Sequence, residues 1–212
     1  MRAGAGEAHV VGEAAARVDG RSARRTRNRE AVLDAVHELF TELRSFPTLE
    51  SVAARSGVSL RSIHRYFPDS EGLMLEALAR RISLVDSLYE LEAVGEGTLA
   101  ERVGRLVDQR LEIYEHAHAT IRVALAVADS MPLIAAQVER RELQVRDQVQ
   151  AHLAPELASL DPGQGQVVLA CAEVLTHFVA IDRMRQARGM PRQQVRLVLV
   201  EGLTRLLAGS TS

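Results

Sequence analysis

The side chains best equipped for chemistry in this 212-residue chain crowd into a short stretch from Ser59 to Tyr66. Ser59, Arg61, Ser62, His64, Arg65 and Tyr66 offer hydroxyl, guanidinium, imidazole and phenol groups, with Leu60 as an apolar member among them. These groups donate hydrogen bonds to anionic oxygens and to base edges; they include no carboxylate pair and no activated nucleophile. Arginine can hold guanine through two hydrogen bonds, worth roughly 1–3 kcal/mol of discrimination, so Arg61 is the leading base reader. Ser59, Ser62, His64, Arg65 and Tyr66 suit phosphate or mixed contacts. A second donor-rich stretch, RSARRTRNRE from Arg21, carries five arginines. Arg24, Arg25 and Arg27 there fit two readings equally: a solvated helix start, or an arm touching phosphates and the minor groove.

Catalytic spacing is missing. The chain has no Gly-x-Ser-x-Gly elbow, no phosphate-binding loop, no dinucleotide-binding glycine run and no His-Glu-x-x-His. His116 and His118 are two apart, so on a helix they point away from each other and cannot share a metal. No catalytic residue, metal ligand or cofactor is expected. Cys171 is the single cysteine, which excludes an internal disulfide framework and suits a reducing cytoplasm. Set among Val, Leu and Ala, it reads as an inert buried thiol.

The donors from Ser59 to Tyr66 need a rigid mount, and the sequence around them supplies one. Thr48 is placed to cap a helix whose Leu49, Val52 and Ala53 form an apolar stripe, and its N-terminus can receive phosphate through Thr48. Gly57 can take a left-handed conformation at the end of that helix. Val58 plugs the turn, and Ser59 caps a second helix from Leu60 to about Tyr66. Ile63 and Phe67, four apart, pack inward and leave a polar, basic outer face. A helix, a glycine turn and a short polar helix is an arrangement that enters the major groove.

These residues resemble the TetR family of one-component transcriptional regulators. The resemblance rests on Ala53, Ala54, Ser56-Gly57-Val58-Ser59, Ile63 and Arg65-Tyr66-Phe67-Pro68, with Glu71 and Leu73 opening the next helix. It covers about residues 26–78. His64 stands where the family commonly has an aromatic residue, and Ser70 where it commonly has lysine. The resemblance implies an all-α fold of about nine helices: a three-helix DNA-binding domain followed by a helical ligand-binding and dimerisation domain. The absence of lysine points to a GC-rich bacterial genome.

Composition agrees with an all-helical reading. No stretch alternates with a period of two, and no apolar run reaches the ~18 residues of a membrane span. The net charge of −2 is unevenly spread. From Arg21 to Phe67 nine arginines face five acids, a balance of +4 that leaves −6 for the remainder. A basic end on an acidic body fits a DNA reader joined to a separate sensor.

Residues 1–20 read as a disordered arm, 21–68 as the helix-turn-helix domain and 69–212 as the sensing and dimerisation domain. Helix one is expected from about Thr26 to Leu43, with Val32, Leu33, Val36, Leu39, Phe40 and Leu43 on its buried face. Asp69 should cap a helix running to about Glu92; the resemblance implies that this helix links reader to sensor, so that its tilt would carry the signal. Further helices are expected at Leu99–His116, Ala119–Ala128, Pro132–Leu157, Val167–Met184 and Arg192–Ala208. The last two, within about 163–187 and 192–208, should pair with their symmetry mates in a homodimer. The resemblance implies a small-molecule pocket in this half. Its candidate contacts are Tyr114, His118, Arg122, Met131, Val145, His177, Phe178 and Met184, mixing polar anchors with adaptable apolar walls; for His177 a core position is an equal reading.

The expectation is therefore a cytoplasmic homodimeric repressor that binds a palindromic double-stranded operator, is released by a small molecule, and has no enzymatic activity or membrane association. An activator of the same fold shares every one of these features. A helical small-molecule-binding protein without DNA function is the alternative from another class.

Overall fold

The computed structural model describes residues 7–43, 45 and 47–208. Every regular element among them is helical, and the chain divides into one compact unit ending at Ala79 and a second beginning at Arg80.

The first unit holds α1 (Glu7–Leu43), α2 (Leu49–Ser56), α3 (Leu60–Tyr66) and the start of α4 (Ser70–Val85). Helix α1 begins at Glu7, well before the expected start near Thr26, so the stretch read as a disordered arm is already helical from its seventh residue. Residues 1–6 of that arm lie outside the described residues. Ala, Glu and Arg, all good helix formers, dominate this stretch, and no proline interrupts it. Val32, Leu33, Ala35, Val36, Leu39 and Phe40 are buried on α1. Leu43, expected on the same face, is 52% exposed, because the helix ends there before a further turn can be covered.

Each boundary of α2 and α3 has a local cause. The Thr48 hydroxyl accepts the Ser51 N–H at 3.2 Å. Gly57, at φ +67°, closes α2 by donating its N–H to Ala53 O at 3.1 Å, a conformation that penalises any side chain. Ser59 Oγ accepts the Ser62 N–H at 3.4 Å and opens α3. Val52, Val58, Ile63, Phe67 and Leu73 are buried, so the turn is plugged from inside and α3 is held by its inner face alone. Asp69 Oδ1 accepts the Gly72 N–H at 2.6 Å at the start of α4.

The second unit is built around α5 (Leu99–Val127), against which α6 (Pro132–His152) and α10 (Arg192–Ala208) pack. Between these lie α7 (Ala154–Leu157), α8 (Pro162–Thr176) and α9 (Phe178–Asp182). Leu106, Val107, Leu111, Tyr114, Val149, Leu153, Ile181, Val195, Leu199 and Leu203 form its core. The Thr98 hydroxyl and Glu101 carboxylate close a reciprocal cap at the start of α5.

Ten α-helices are present among the described residues, from one fusion and two breaks relative to the nine expected. Helix α5 runs unbroken from Leu99 to Val127 and so joins the expected Leu99–His116 and Ala119–Ala128 helices, since neither glycine nor proline lies between them. Pro155, in the first turn of α7, separates α6 from α7 at Leu153, since proline cannot continue the hydrogen-bond ladder. His177 splits the expected Val167–Met184 helix: its backbone is extended, and its Nδ1 accepts the Val179 N–H at 3.2 Å to cap α9. Helix α9 runs on into a π-helical turn, Arg183–Ala187. Helix α4 stops at Val85 and a 3₁₀ turn covers Asp86–Tyr89, short of the expected end near Glu92.

Two buried polar groups anchor the loop before α5. His152 is fully buried; its Nδ1 accepts the Gly95 N–H at 3.3 Å while Nε2 lies 2.8 Å from the Arg102 carbonyl. That pairing defines a neutral imidazole with its proton on Nε2. Arg102, 5% exposed, pairs with Glu156 and donates to the Gly97 carbonyl.

Candidate functional site

In the first unit, the outward side of α3 presents Arg61, His64 and Arg65, all exposed, with Leu60 37% exposed and Ser62 and Tyr66 half-buried. Ser59 and Thr48 are exposed at the two helix starts. Arg24, Arg25 and Arg27 are exposed on α1. Arg24, Arg25, Arg27 and Arg61 have no carboxylate partner among the described residues.

A hydrogen-bonded chain organises the C-terminal part of that face. Ser59 Oγ donates to Ser62 Oγ at 3.1 Å, Arg65 Nη2 donates to Ser62 Oγ at 3.5 Å and to the Tyr66 hydroxyl at 3.3 Å, and its guanidinium lies 5.2 Å from the Tyr66 ring centre. Asn28 Nδ2, from α1, donates to the same hydroxyl at 3.4 Å. These donors, Asn28 foremost and Arg65 second, lower the Tyr66 pKa and make its O–H a stronger hydrogen-bond donor. Sequence reading missed Asn28; its one signal was a polar amide placed between Arg27 and Arg29.

Other arginines of the first unit are already engaged. Arg55 bonds Glu42 at 2.6 and 2.9 Å and Glu38 at 3.2 Å, tying α2 to α1. Arg29 pairs with Glu76 and lies 5.1 Å from the Phe67 ring centre. The positive charge left for an external partner therefore sits on α3 and the α1 segment from Arg24 to Arg27.

The eight expected ligand contacts separate in the second unit. Tyr114, His118, Arg122 and Phe178 come together: His118 stacks on Tyr114 at 5.1 Å, Phe178 is tilted against it at 5.8 Å, and His118 Nδ1 lies 3.1 Å from the Tyr114 carbonyl. Asp182 completes the group, accepting from Tyr114 OH at 3.0 Å and from Arg122 Nη2 at 2.6 Å. Gln186 donates to Tyr114 OH at 3.2 Å. The carboxylate raises the Arg122 pKa, and burial raises that of Tyr114. Asp182 and Gln186 were not among the expected contacts; the signal for Asp182 was a carboxylate in a mostly apolar run, which demands a cation nearby.

Met184 packs on the core of the unit. Val145 and His177 instead line a cleft of about 270 Å³ with Glu139, Glu142, Arg146 and Glu173. His177, a half-exposed cap whose Nε2 is 3.7 Å from Glu142, is not a core histidine: the helix break turns its ring to the surface. Met131, at the N-cap of α6, belongs to neither group.

Helices α8 and α10 pack on each other yet keep apolar side chains outside. Val167 and Val174 on α8 are 62% and 67% exposed; Leu197 and Val198 on α10 are 61% and 43% exposed. Cys171, expected to be buried, is exposed. It shares the outer stripe of α8 with Val167 and Val174, four and three residues away. No helix among the described residues is long and apolar enough to cross a membrane, and no group of His, Cys, Asp and Glu among them could hold a metal ion.

No protein-family model matches this chain, and no curated protein matches it. Solved structures do. A transcriptional regulator from Rhodococcus sp. Rha1 superposes with a TM-score of 0.63 over 89% of this chain and 98% of its own, at 19% identity. A protein from Streptomyces coelicolor A3(2), proposed to be a transcriptional regulator, superposes with a TM-score of 0.55 over 87% of this chain and 99% of its own, at 20% identity. The chain has an all-α fold that it shares with structures of this class.

Proposed function

We propose that the protein is a ligand-responsive transcriptional repressor of the TetR type that binds a palindromic operator as a homodimer. The observation that carries this reading is the exposed outer face of α3, where Arg61, His64 and Arg65 stand on a helix capped by Ser59 and fixed from below by Ile63 and Phe67. Arg61 reads a base edge. Ser59, Leu60, Ser62, His64, Arg65 and Tyr66 make phosphate or mixed contacts, Thr48 adds a phosphate contact from the start of α2, and Arg24, Arg25 and Arg27 add backbone charge. The likeness in fold to structures of transcriptional regulators supports the same reading.

The exposed apolar side chains of α8 and α10 support a homodimer through those helices. Its two copies of α3 must then lie about 34–36 Å apart, or a multiple of that distance, to enter successive major grooves. The second unit is the sensor, with Tyr114, His118, Arg122, Met131, Val145, His177, Phe178 and Met184 as the candidate effector contacts. An effector that binds better to a dimer of unsuitable spacing releases DNA by shifting the population.

The test is binding of the purified protein to its own upstream DNA and to a scrambled duplex at two salt concentrations. Selective binding that weakens steeply with salt is expected, because arginines on phosphates displace counterions. Equal, weak binding to both duplexes, repeated in a genome-wide pull-down, would overturn the reading.

A further inference from the structure

The half-buried phenol of Tyr66, at the end of α3, is surrounded by donors alone. Asn28 Nδ2 reaches its oxygen from α1 at 3.4 Å, and Arg65 Nη2 reaches it from α3 at 3.3 Å. The exposed Arg25, three residues before Asn28 and so on the same side of α1, adds its charge at that oxygen. With both neighbours donating to it, the phenol has its own O–H left to give, and no described residue accepts it. Both bonds are longer than the usual spacing of about 2.9–3.0 Å, as crowding of donors on one neutral oxygen would make them.

No carboxylate closes this corner. Arg25 has none as a partner among the described residues, and the bonds Arg65 makes there go to Ser62 and Tyr66, which leaves the rest of its fork open. Donors from two helices, carrying two positive charges, therefore converge with nothing to accept from them. An anionic group with several acceptor oxygens and no hydrogen of its own satisfies all of them at once, and a phosphodiester is such a group. We propose that α1 and α3 jointly hold one backbone phosphate, with Arg25, Arg65 and the Tyr66 O–H as its contacts and Asn28 as a positioning residue that fixes the phenol. This rests on the chain being a DNA-binding regulator. A phosphate gripped from two helices sets the angle at which α3 meets the duplex, which diffuse charge cannot do. Arg27, next to Asn28 in sequence, points to another side of α1 and serves a different phosphate.

The test is a double-mutant cycle on the full-length protein, with its upstream duplex and a scrambled duplex as probes and with circular dichroism and Tm as checks of folding. Arg25→Gln and Tyr66→Phe should each weaken binding to the upstream duplex about 10-fold, the weight of a charge-assisted hydrogen bond. The double variant should lose little more than either alone, because both act on one phosphate. Arg27→Gln combined with Tyr66→Phe should instead give the product of the two losses. If Tyr66→Phe lowers Tm, Arg65→Gln takes its place in the cycle. Asn28→Ala should cost about 3-fold, the weight of a neutral hydrogen bond. Asn28→Asp, almost the same size as the native side chain, should cost clearly more, since it sets a carboxylate against the phosphate; a role in packing alone would rank the two the other way. A single methylphosphonate, moved along the protected part of the upstream duplex, should find one position per half-site that weakens the wild type and leaves Arg25→Gln and Tyr66→Phe no weaker than before. Selective DNA binding with multiplicative losses for Arg25→Gln and Tyr66→Phe, or with Asn28→Asp binding as tightly as the wild type, overturns this inference alone. Non-additive losses that are equal on upstream and scrambled duplexes overturn the regulator reading alone.

Discussion

In the second unit Arg122, Arg185, Arg192 and Arg196 each close on a carboxylate, with Asp182, Glu115, Glu112 and Asp108 as partners. In the first unit Arg24, Arg25, Arg27 and Arg61 face solvent with no such partner among the described residues. The same side chain thus serves two purposes. A guanidinium whose fork is filled by a carboxylate fixes the register between helices and has little left for an outside anion. One whose fork is empty keeps its full attraction for phosphate. The first unit shows both uses: Arg29 and Arg55 brace the helices, while the others are left open.

The contrast can be attacked at several points. The largest effect should come from Glu156→Gln, which would leave Arg102 buried without its counter-charge and cost about 3 kcal/mol of stability; urea unfolding reads this directly. An unchanged midpoint would mean that burial of this pair carries no electrostatic weight. Next, Arg61→Ala should lose about 1–3 kcal/mol of discrimination between operator and mismatched duplex in competition binding. Unaltered discrimination would remove Arg61 as a base reader. Arg27→Gln should weaken binding to all sequences alike and flatten the slope of log K against log salt by about 0.9 if one phosphate contact is lost. The smallest effect is expected for Arg55→Gln: its guanidinium is occupied by Glu38 and Glu42, so DNA affinity and salt slope should both stay put. A marked loss of affinity there would blur the division between bracing and open arginines.

What could be read from sequence follows the range of the forces involved. The helix-turn-helix was legible because its signals are local: Thr48, Gly57 and Ser59 act on backbone groups within four residues, and Val52, Val58 and Ile63 are buried as their spacing implies. Helix α10 was also legible, bounded by Pro191 and by its own apolar repeat. The polar group around Tyr114 was not. Asp182 reaches Tyr114 and Arg122 across sixty or more residues of sequence, and nothing near Tyr114 announces it. Helix α8 misled for another reason. It is apolar nearly all round, so composition could not say that Cys171 lies outward, nor that His177 would end the helix by capping the next one.

The neutral imidazole of His152 ties the stability of the second unit to acidity. Burial, the largest influence, holds its pKa below the ordinary histidine value, with Arg105, Arg102 and Arg110 adding to the effect against the opposing bond to the Arg102 carbonyl. The unfolded chain therefore takes up a proton near pH 6.5 while the folded one resists, so stability is fully present above about pH 6.5 and is lost as pH falls through the folded pKa. Protonation would place a hydrogen on Nδ1 facing the Gly95 N–H, so acid should detach the Gly95 loop from α6 first. Hydrogen exchange at the Gly95 amide, followed from pH 7.5 to 5.5 and corrected for intrinsic rates, should lose protection before the amides of α5 do.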